Sequence, residues 1–231
     1  MPSNSLLFFV TKLINFEGFK ATNYWFITEN EILIELANKS NKATCPYCHK
    51  STDKIHQSHQ YRVRDIPLSS FDVFLFVNRR QFRCKNCRQV FSEELSLVKK
   101  RRTYTKRLAQ KVIEEVLETD VTNAGKRNRM SSAEIETILK ELEEDLLKEK
   151  PQGLKRLGID EITHLKGGKN YAAVLVDLDK RKPIALLEKR NKEAIAEYLQ
   201  GLGSEILSQI EEVSIDLWKP YKTVVEELIP N

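Results

Sequence analysis

Two Cys-x-x-Cys pairs, Cys45-Pro46-Tyr47-Cys48 and Cys84-Lys85-Asn86-Cys87, hold all four cysteines of this 231-residue chain. Four soft ligands in two tight clips suit a tetrahedral thiolate site around a structural Zn²⁺, with the chain between them free to fold as a loop or hairpin. Cys45, Cys48, Cys84 and Cys87 are therefore the expected metal ligands. Three rival readings are weaker. Cys45 to His49 spells the Cys-x-x-Cys-His haem-attachment pattern, but that chemistry belongs to exported proteins and leaves the second clip unexplained. A thioredoxin-like redox clip expects one pair beside a βαβ pattern, and structural disulfides need an oxidising compartment. His49, His56 and His59 could each replace a thiolate, but four cysteines complete the shell, so the histidines read as polar loop residues.

Length and a 41% hydrophobic content allow one or two cores. The most apolar stretch, Leu6 to Phe16, is broken by Lys12 and Asn15. It is too short to span a bilayer and reads as a core segment, and a cytoplasmic location, where thiols stay reduced, is expected.

The net charge of +5 is unevenly placed: fifteen basic side chains stand against six acidic ones between Arg79 and Arg129, whereas residues 151–231 are nearly neutral. Such a belt is an electrostatic footprint for phosphate backbones, with a solvated linker as the competing reading. The candidate DNA contacts are Arg79 and Arg80, the run Lys99-Lys100-Arg101-Arg102, Lys106 and Arg107. Lys126, Arg127 and Arg129 continue the belt.

Local pattern divides the chain into three. Tyr24 to Thr28 and Glu31 to Leu36 predict a β-hairpin, and Gln60 to Asp65 with Phe71 to Phe82 predict a second antiparallel pair returning Cys84 towards Cys48. From Thr103 the period lengthens to about 3.6. Helices are expected over 105–119, capped by Thr105, over 121–129, and over 131–148, where Ser131 and Glu134 fit a capping box. That order is also the order of a helix-turn-helix DNA reader, with a plain helical spacer as the competing reading. After Pro151-Gln152-Gly153, strands over 154–162, 171–178 and 182–187 precede a helix over 192–210, a strand over 213–217 and a helix over 219–228. The expected fold is α+β and multidomain. It comprises a β-rich zinc-binding module (1–98), a helical helix-turn-helix-like segment (99–150) and an incomplete ribonuclease-H-like α/β domain (151–231).

Asp160 and Asp216 each follow a short apolar run in strands expected to lie side by side. Neighbouring strands are about 4.8 Å apart, so two carboxylates on one face can hold divalent ions for two-metal phosphoryl transfer. Asp177 and Asp179 flank a Lys180-Arg181-Lys182-Pro183 turn and read as hairpin residues. Glu161 alternates to the face opposite Asp160. His164 reads as surface, and Trp218 and Tyr221 as packing at a strand-to-helix corner, with stacking on bases the alternative.

The runs Gly158-Ile159-Asp160-Glu161-Ile162, Val174 to Asp179, and Val213-Ser214-Ile215-Asp216-Leu217-Trp218-Lys219-Pro220-Tyr221 resemble the DDE domain of bacterial insertion-sequence transposases of the ISL3 family. The two clips, joined by a strand pair ending Arg79-Arg80-Gln81-Phe82-Arg83-Cys84, resemble that family's zinc-binding region. The resemblance implies double-stranded DNA as partner, at terminal inverted repeats, and Mg²⁺-dependent cleavage and strand transfer, with Asp160 and Asp216 as the first two catalytic acids. Self-association into a homo-oligomer is kept as a further partner class. The family's third acid comes from a later helix, for which the residues up to Asn231 offer no match, so little or no transposition is expected of this polypeptide. Two alternatives stay open: a zinc-dependent DNA-binding regulator without catalysis, and a complete nuclease drawing its last ligand from Asp177, Asp179 or a second subunit.

Overall fold

A computed structural model of the chain describes residues 3–146, 148, 150–163, 171–189, 191–216 and 219–229; His164, Leu217, Trp218 and the Pro230-Asn231 end lie outside the described residues. Packing divides the chain into two units, Met1–Lys111 and Val112–Asn231.

The first unit contains helix α1 (Asn4–Ile14), strands β1 (Phe19–Thr28), β2 (Glu31–Asn38), β3 (Ala43–Thr44), β4 (Ser51–Thr52), β5 (Ile55–Arg64), β6 (Asp72–Arg83) and β7 (Val90–Ser92), and the first turns of α2 (Lys106–Glu118). Both expected hairpins form: β1 pairs antiparallel with β2, and β5 with β6. The two hairpins are joined by a parallel pairing of β2 with β6, from Glu31 opposite Asp72 to Leu36 opposite Val77, giving the order β1-β2-β6-β5. Alternation explains it. Ile32, Ile34 and Leu36 point into the same core as Val73, Leu75 and Val77, so pairing the strands in this register buries one continuous apolar face. Each such side chain contributes about 1.5–3 kcal/mol when fully buried.

The expectation that residues 6–16 form a core segment needs correction. They lie mostly in α1, which buries Ile14 but leaves Leu6, Phe8, Phe9 and Leu13 exposed. A helix presents its side chains all round, and α1 has the sheet on one side only.

The second unit begins with the rest of α2, followed by α3 (Val121–Asn128) and α4 (Ser132–Leu146). Strands β8 (Arg156–Thr163), β9 (Tyr171–Asp177) and β10 (Lys182–Leu187) form an antiparallel meander, and β11 (Glu212–Ile215) joins β8 in parallel, giving the order β10-β9-β8-β11. Helices α5 (Lys192–Leu202) and α7 (Lys219–Leu228) cover one face through Ile195, Leu199, Tyr221 and Val224, which pack with Leu157, Ile159 and Leu175. Helix α4 packs against β10. The helix expected over 192–210 is broken: Gly203, at φ 91°, ends α5 and opens the short α6 (Ser204–Leu207). That backbone conformation is open to glycine and closed to a helix.

Candidate functional site

The two cysteine clips fold into matching knuckles. In the first, Cys45 N–H donates to the Lys50 carbonyl at 2.9 Å and His49 N–H to the Cys45 carbonyl at 2.9 Å; in the second, Cys84 pairs with Gln89 at 2.9 Å and Arg88 with Cys84 at 3.1 Å. Each knuckle turns at a residue with positive φ, His49 at 56° and Arg88 at 63°. His49 is therefore a turn residue, and among the described residues the metal-ligating cluster comprises the four cysteines.

All four sulfurs lie within 4.8 Å of one another, with Cys45–Cys87 at 3.6 Å and Cys48–Cys84 at 3.5 Å. The cysteines form no disulfide. A tetrahedral Zn²⁺ with Zn–S bonds of about 2.3 Å has edges of about 3.8 Å, so the donor set fits a structural zinc ion. The Lys50 backbone N–H, helped by the Asn86 side chain, holds the Cys48 thiol down to about 6. Cys87 receives a similar N–H from Gln89, yet desolvation and the three neighbouring sulfurs push it up to about 12. Accumulating thiolates repel one another in this cluster, and a divalent cation removes that repulsion.

The knuckles close the end of the β5–β6 ribbon. Phe82 and Cys84 are buried with Cys45 and Phe91 in a small separate core, and Arg83 N–H donates to the Lys54 carbonyl at 2.9 Å.

The basic belt divides by burial. Arg80 is only 8% exposed; its guanidinium pairs with both carboxylate oxygens of Glu93 at 2.9 and 2.7 Å, donates to the Ser40 carbonyl at 2.9 Å, and lies over the Phe82 ring. Arg107 forms a two-pronged pair with buried Asp65, donates to the Ile14 carbonyl at 2.7 Å, and covers the Phe16 ring. Both were expected to contact DNA; instead, internal partners take up their charge, because a buried cation needs a counter-ion and hydrogen bonds.

The Lys99 to Arg102 run is not a loose linker. It turns through Arg101 at φ 63° and is pinned along β5 by a hydrogen bond from the Tyr61 hydroxyl to the Arg102 carbonyl and by Arg64 N–H to Thr103 at 2.7 Å. Lys100 and Arg101 remain exposed, and with half-buried Arg79 they line a groove of about 400 Å³. Lys99 and Arg102 are half-buried, and Lys106 is exposed at the start of α2, where Thr105 caps the helix by accepting from Leu108 N–H at 3.2 Å.

In the second unit, Lys126, Arg127 and Arg129 are exposed where α3 turns into α4. Arg129 takes a left-handed conformation at φ 50°, and Met130 N–H returns to the Gly125 carbonyl at 2.9 Å. A Cβ at Gly125 would lie 3.0 Å from the Met130 carbonyl oxygen, so the tight turn favours glycine. Ser131 and Glu134 make the expected capping box: Glu134 accepts from Ser131 N–H at 2.8 Å, and Ser131 Oγ accepts from Glu134 N–H at 3.3 Å.

Asp160 lies on β8, and Asp216 directly follows β11, the strand beside it. β8 and β11 run parallel with Gly158 opposite Ser214 and Ile159 opposite Ile215, and the same register carried one residue on sets Asp160 opposite Asp216. Leu157, Ile159, Val213 and Ile215 pack into the core under α5 and α7. Period-two alternation therefore turns Gly158, Asp160, Ser214 and Asp216 to the other face. Both aspartates are exposed, and Asp160 Oδ1 accepts from Glu161 N–H at 2.7 Å. Ion pairs Arg156–Glu212 (2.9 Å) and Lys155–Glu211 (3.0 Å) flank the β8–β11 junction.

Asp177 and Asp179 do not join this pair. Asp177 sits opposite Leu157, on the core-facing side of β9, and is buried. Burial pushes its carboxyl up, but the Lys180 ammonium and N–H, both at 2.9 Å, outweigh burial and hold it below its usual range. Asp179 pairs with Arg156 at 3.6 Å. Among the described residues no third histidine, cysteine or carboxylate groups with Asp160 and Asp216. Tyr221 packs, as expected, fully buried, and donates from its hydroxyl to Glu161 at 3.2 Å.

Residues 157–231 match the model of the ISL3 transposase DDE domain, described as a transposase, and residues 41–87 match the zinc-finger of transposases IS204/IS1001/IS1096/IS1165. The chain belongs to the ISL3 transposase family. It is similar to the transposase for insertion sequence element IS1001 of Bordetella parapertussis, 25% identical over 188 residues, which are 81% of this chain. The chain spans 46% of that relative's length. No solved structure matches. In this ISL3 chain one matched segment carries all four cysteines and the other carries both aspartates. No helix among the described residues is long and apolar enough to cross a membrane.

Sequence reasoning passed over Glu93, whose importance comes from a partner thirteen residues away, and the polar residues Gln57 and Gln81 of the β5–β6 ribbon, and it read His56 and His59 as loop residues where they lie in β5. Their signal was an unbroken polar stretch, His56 to Gln60, inside a strand.

Proposed function

We propose that this polypeptide is the DNA-binding part and the opening of the catalytic domain of an insertion-sequence transposase acting on terminal inverted repeats. The observation that carries this is the parallel register of β8 and β11, which continued by one residue sets exposed Asp160 and Asp216 side by side, in a chain that also carries a basic surface beside its cysteine knuckles. The strand order of the second unit is the one a ribonuclease-H-like opening requires.

Asp160 and Asp216 would hold Mg²⁺, which on binding supplies charge stabilisation to a phosphodiester and activates the attacking oxygen. The chain's own part is to fix two carboxylates by strand register and keep that face open. Arg79, Lys99, Lys100, Arg101, Arg102 and Lys106 supply a positive surface for the duplex in the first unit, and Lys126, Arg127 and Arg129 one in the second. Two acids leave the ion's ligand shell incomplete. The 231-residue polypeptide therefore binds DNA without completing strand transfer.

The experiment is a mobility-shift titration of the 231-residue chain on the element's end sequences, beside a Mg²⁺-dependent strand-cleavage assay and a Mn²⁺ titration. The expected results are DNA binding with a steep salt dependence, weak Mn²⁺ binding abolished by Asp160→Asn or Asp216→Asn, and no strand transfer. Mn²⁺ binding unaffected by either substitution would instead favour a DNA-binding regulator without catalysis. Efficient strand transfer would refute the incomplete-shell argument.

A further inference from the structure

Beyond Leu36 opposite Val77, β2 no longer accompanies β6, and β7 joins only from Gln81. Between these limits β5 and β6 continue as a two-stranded ribbon, with His59 opposite Arg79 and Gln60 opposite Asn78, while Gln57 faces Gln81. Residues 56–60 are all exposed, unlike the core-facing alternation elsewhere in this sheet. Neither strand carries an acidic side chain over 55–64 or 78–83. Amides, histidines and arginines are prominent in the ribbon instead.

Alternation gathers Gln57, His59, Arg79 and Gln81 on one face. The amides are ordered in advance: Gln57 Nε2 donates to Gln81 Oε1 at 2.5 Å, and Gln81 Nε2 donates to Ser92 Oγ at 3.2 Å. Each amide offers two donors and two acceptor positions, so these bonds leave further capacity on both. His59, Arg79 and Gln81 line the groove that Lys100 and Arg101 border. One end of the ribbon is fixed by the sheet, and the other runs directly into buried Phe82 and Cys84 at the zinc knuckles.

The major groove of B-DNA admits a two-stranded β-ribbon, and its base edges are read by arginine on guanine and by glutamine or asparagine on adenine. We propose that the β5–β6 ribbon enters the major groove of double-stranded DNA, with Gln57, His59, Arg79 and Gln81 contacting base edges and Lys100 and Arg101 holding the flanking phosphates. This rests on the DNA-binding reading above and assigns sequence recognition to a strand pair in the first unit rather than to the α3–α4 helices.

The test selects from a library of duplexes randomised over about 20 base pairs, two helical turns, using the zinc-loaded 231-residue chain and its variants. Gln57 and His59 are exposed, so Gln57→Ala and His59→Ala leave the fold intact, which circular dichroism and zinc content verify. Each is expected to flatten preference at one or two base positions by about 5- to 150-fold, with the salt slope unchanged. Lys100→Ala and Arg101→Ala are expected to weaken all duplexes alike and reduce the salt slope by about 1 each. If Gln57→Ala, His59→Ala and Gln81→Ala select the same sequences as strongly as the unmodified chain, the ribbon does not read bases, although the DNA-binding reading survives. Preference for single strands overturns the groove assignment. Failure of the unmodified chain to retain any duplex overturns the DNA-binding reading and this inference with it.

Discussion

Arg80 and Lys100 lie in the same basic belt and have opposite fates. Arg80 sits where β6 passes beneath Glu93, and both side chains are nearly sealed from water. Lys100 sits on a pinned, exposed turn. Charge can be counted in a sequence, but the burial of a charge depends on a partner brought by the fold, and so only part of the belt could be assigned from sequence. The cysteines could be assigned completely, because each clip is a local turn and four thiols allow one tetrahedral shell. Removing one side of the buried pair leaves an uncompensated charge. Glu93→Ala is expected to lower the unfolding free energy by about 3–5 kcal/mol, read by urea titration, whereas Lys100→Ala stays within about 0.5 kcal/mol. Equal effects would show that the burial of Arg80 has no energetic consequence.

At the level of elements, the features legible in advance are those closed within a few residues. The capping box joins Ser131 to Glu134, three positions on, and the helix start at Thr105 is set by its own hydroxyl. The helix break at Gly203 was missed although glycine is its cause, because the apolar period of 192–210 runs through it. The parallel pairing of β2 with β6 was missed for a different reason: alternation says which face of a strand is buried and says nothing about its neighbour. Parallel pairing of β11 with β8 was expected, and it sets Ile159 opposite Ile215, the neighbours of Asp160 and Asp216, across more than fifty residues. The local features make a correspondingly local prediction. Ser131→Ala removes one of the two reciprocal cap bonds and is expected to lower the stability of the second unit by about 1 kcal/mol, measured by denaturant titration, with zinc content unchanged. A shift below about 0.3 kcal/mol would mean that packing of α4 on β10, rather than the cap, fixes where the helix begins.

For the molecule as a whole, the two units differ in what holds them together. The second buries fifteen residues in one cluster spanning Leu154 to Ile229, enough apolar surface to stand without a metal. The knuckle end of the first has only Cys45, Phe82, Cys84 and Phe91 as its buried core, too few to order two short turns and the emerging ribbon. In such modules zinc binding supplies the folding free energy, on the order of 10–16 kcal/mol in isolated fingers. Chelation should therefore act regionally. After treatment with a strong chelator at neutral pH, amide exchange is expected to accelerate over residues 43–54 and 78–92 and to stay slow in β8 and β9. Specific DNA selection should fall before non-specific binding does, because Lys126, Arg127 and Arg129 lie outside the metal-held region. Loss of protection in both units together would show that the ion supports the whole chain, and unchanged exchange at the knuckles would show that four adjacent thiols need no metal to hold their geometry.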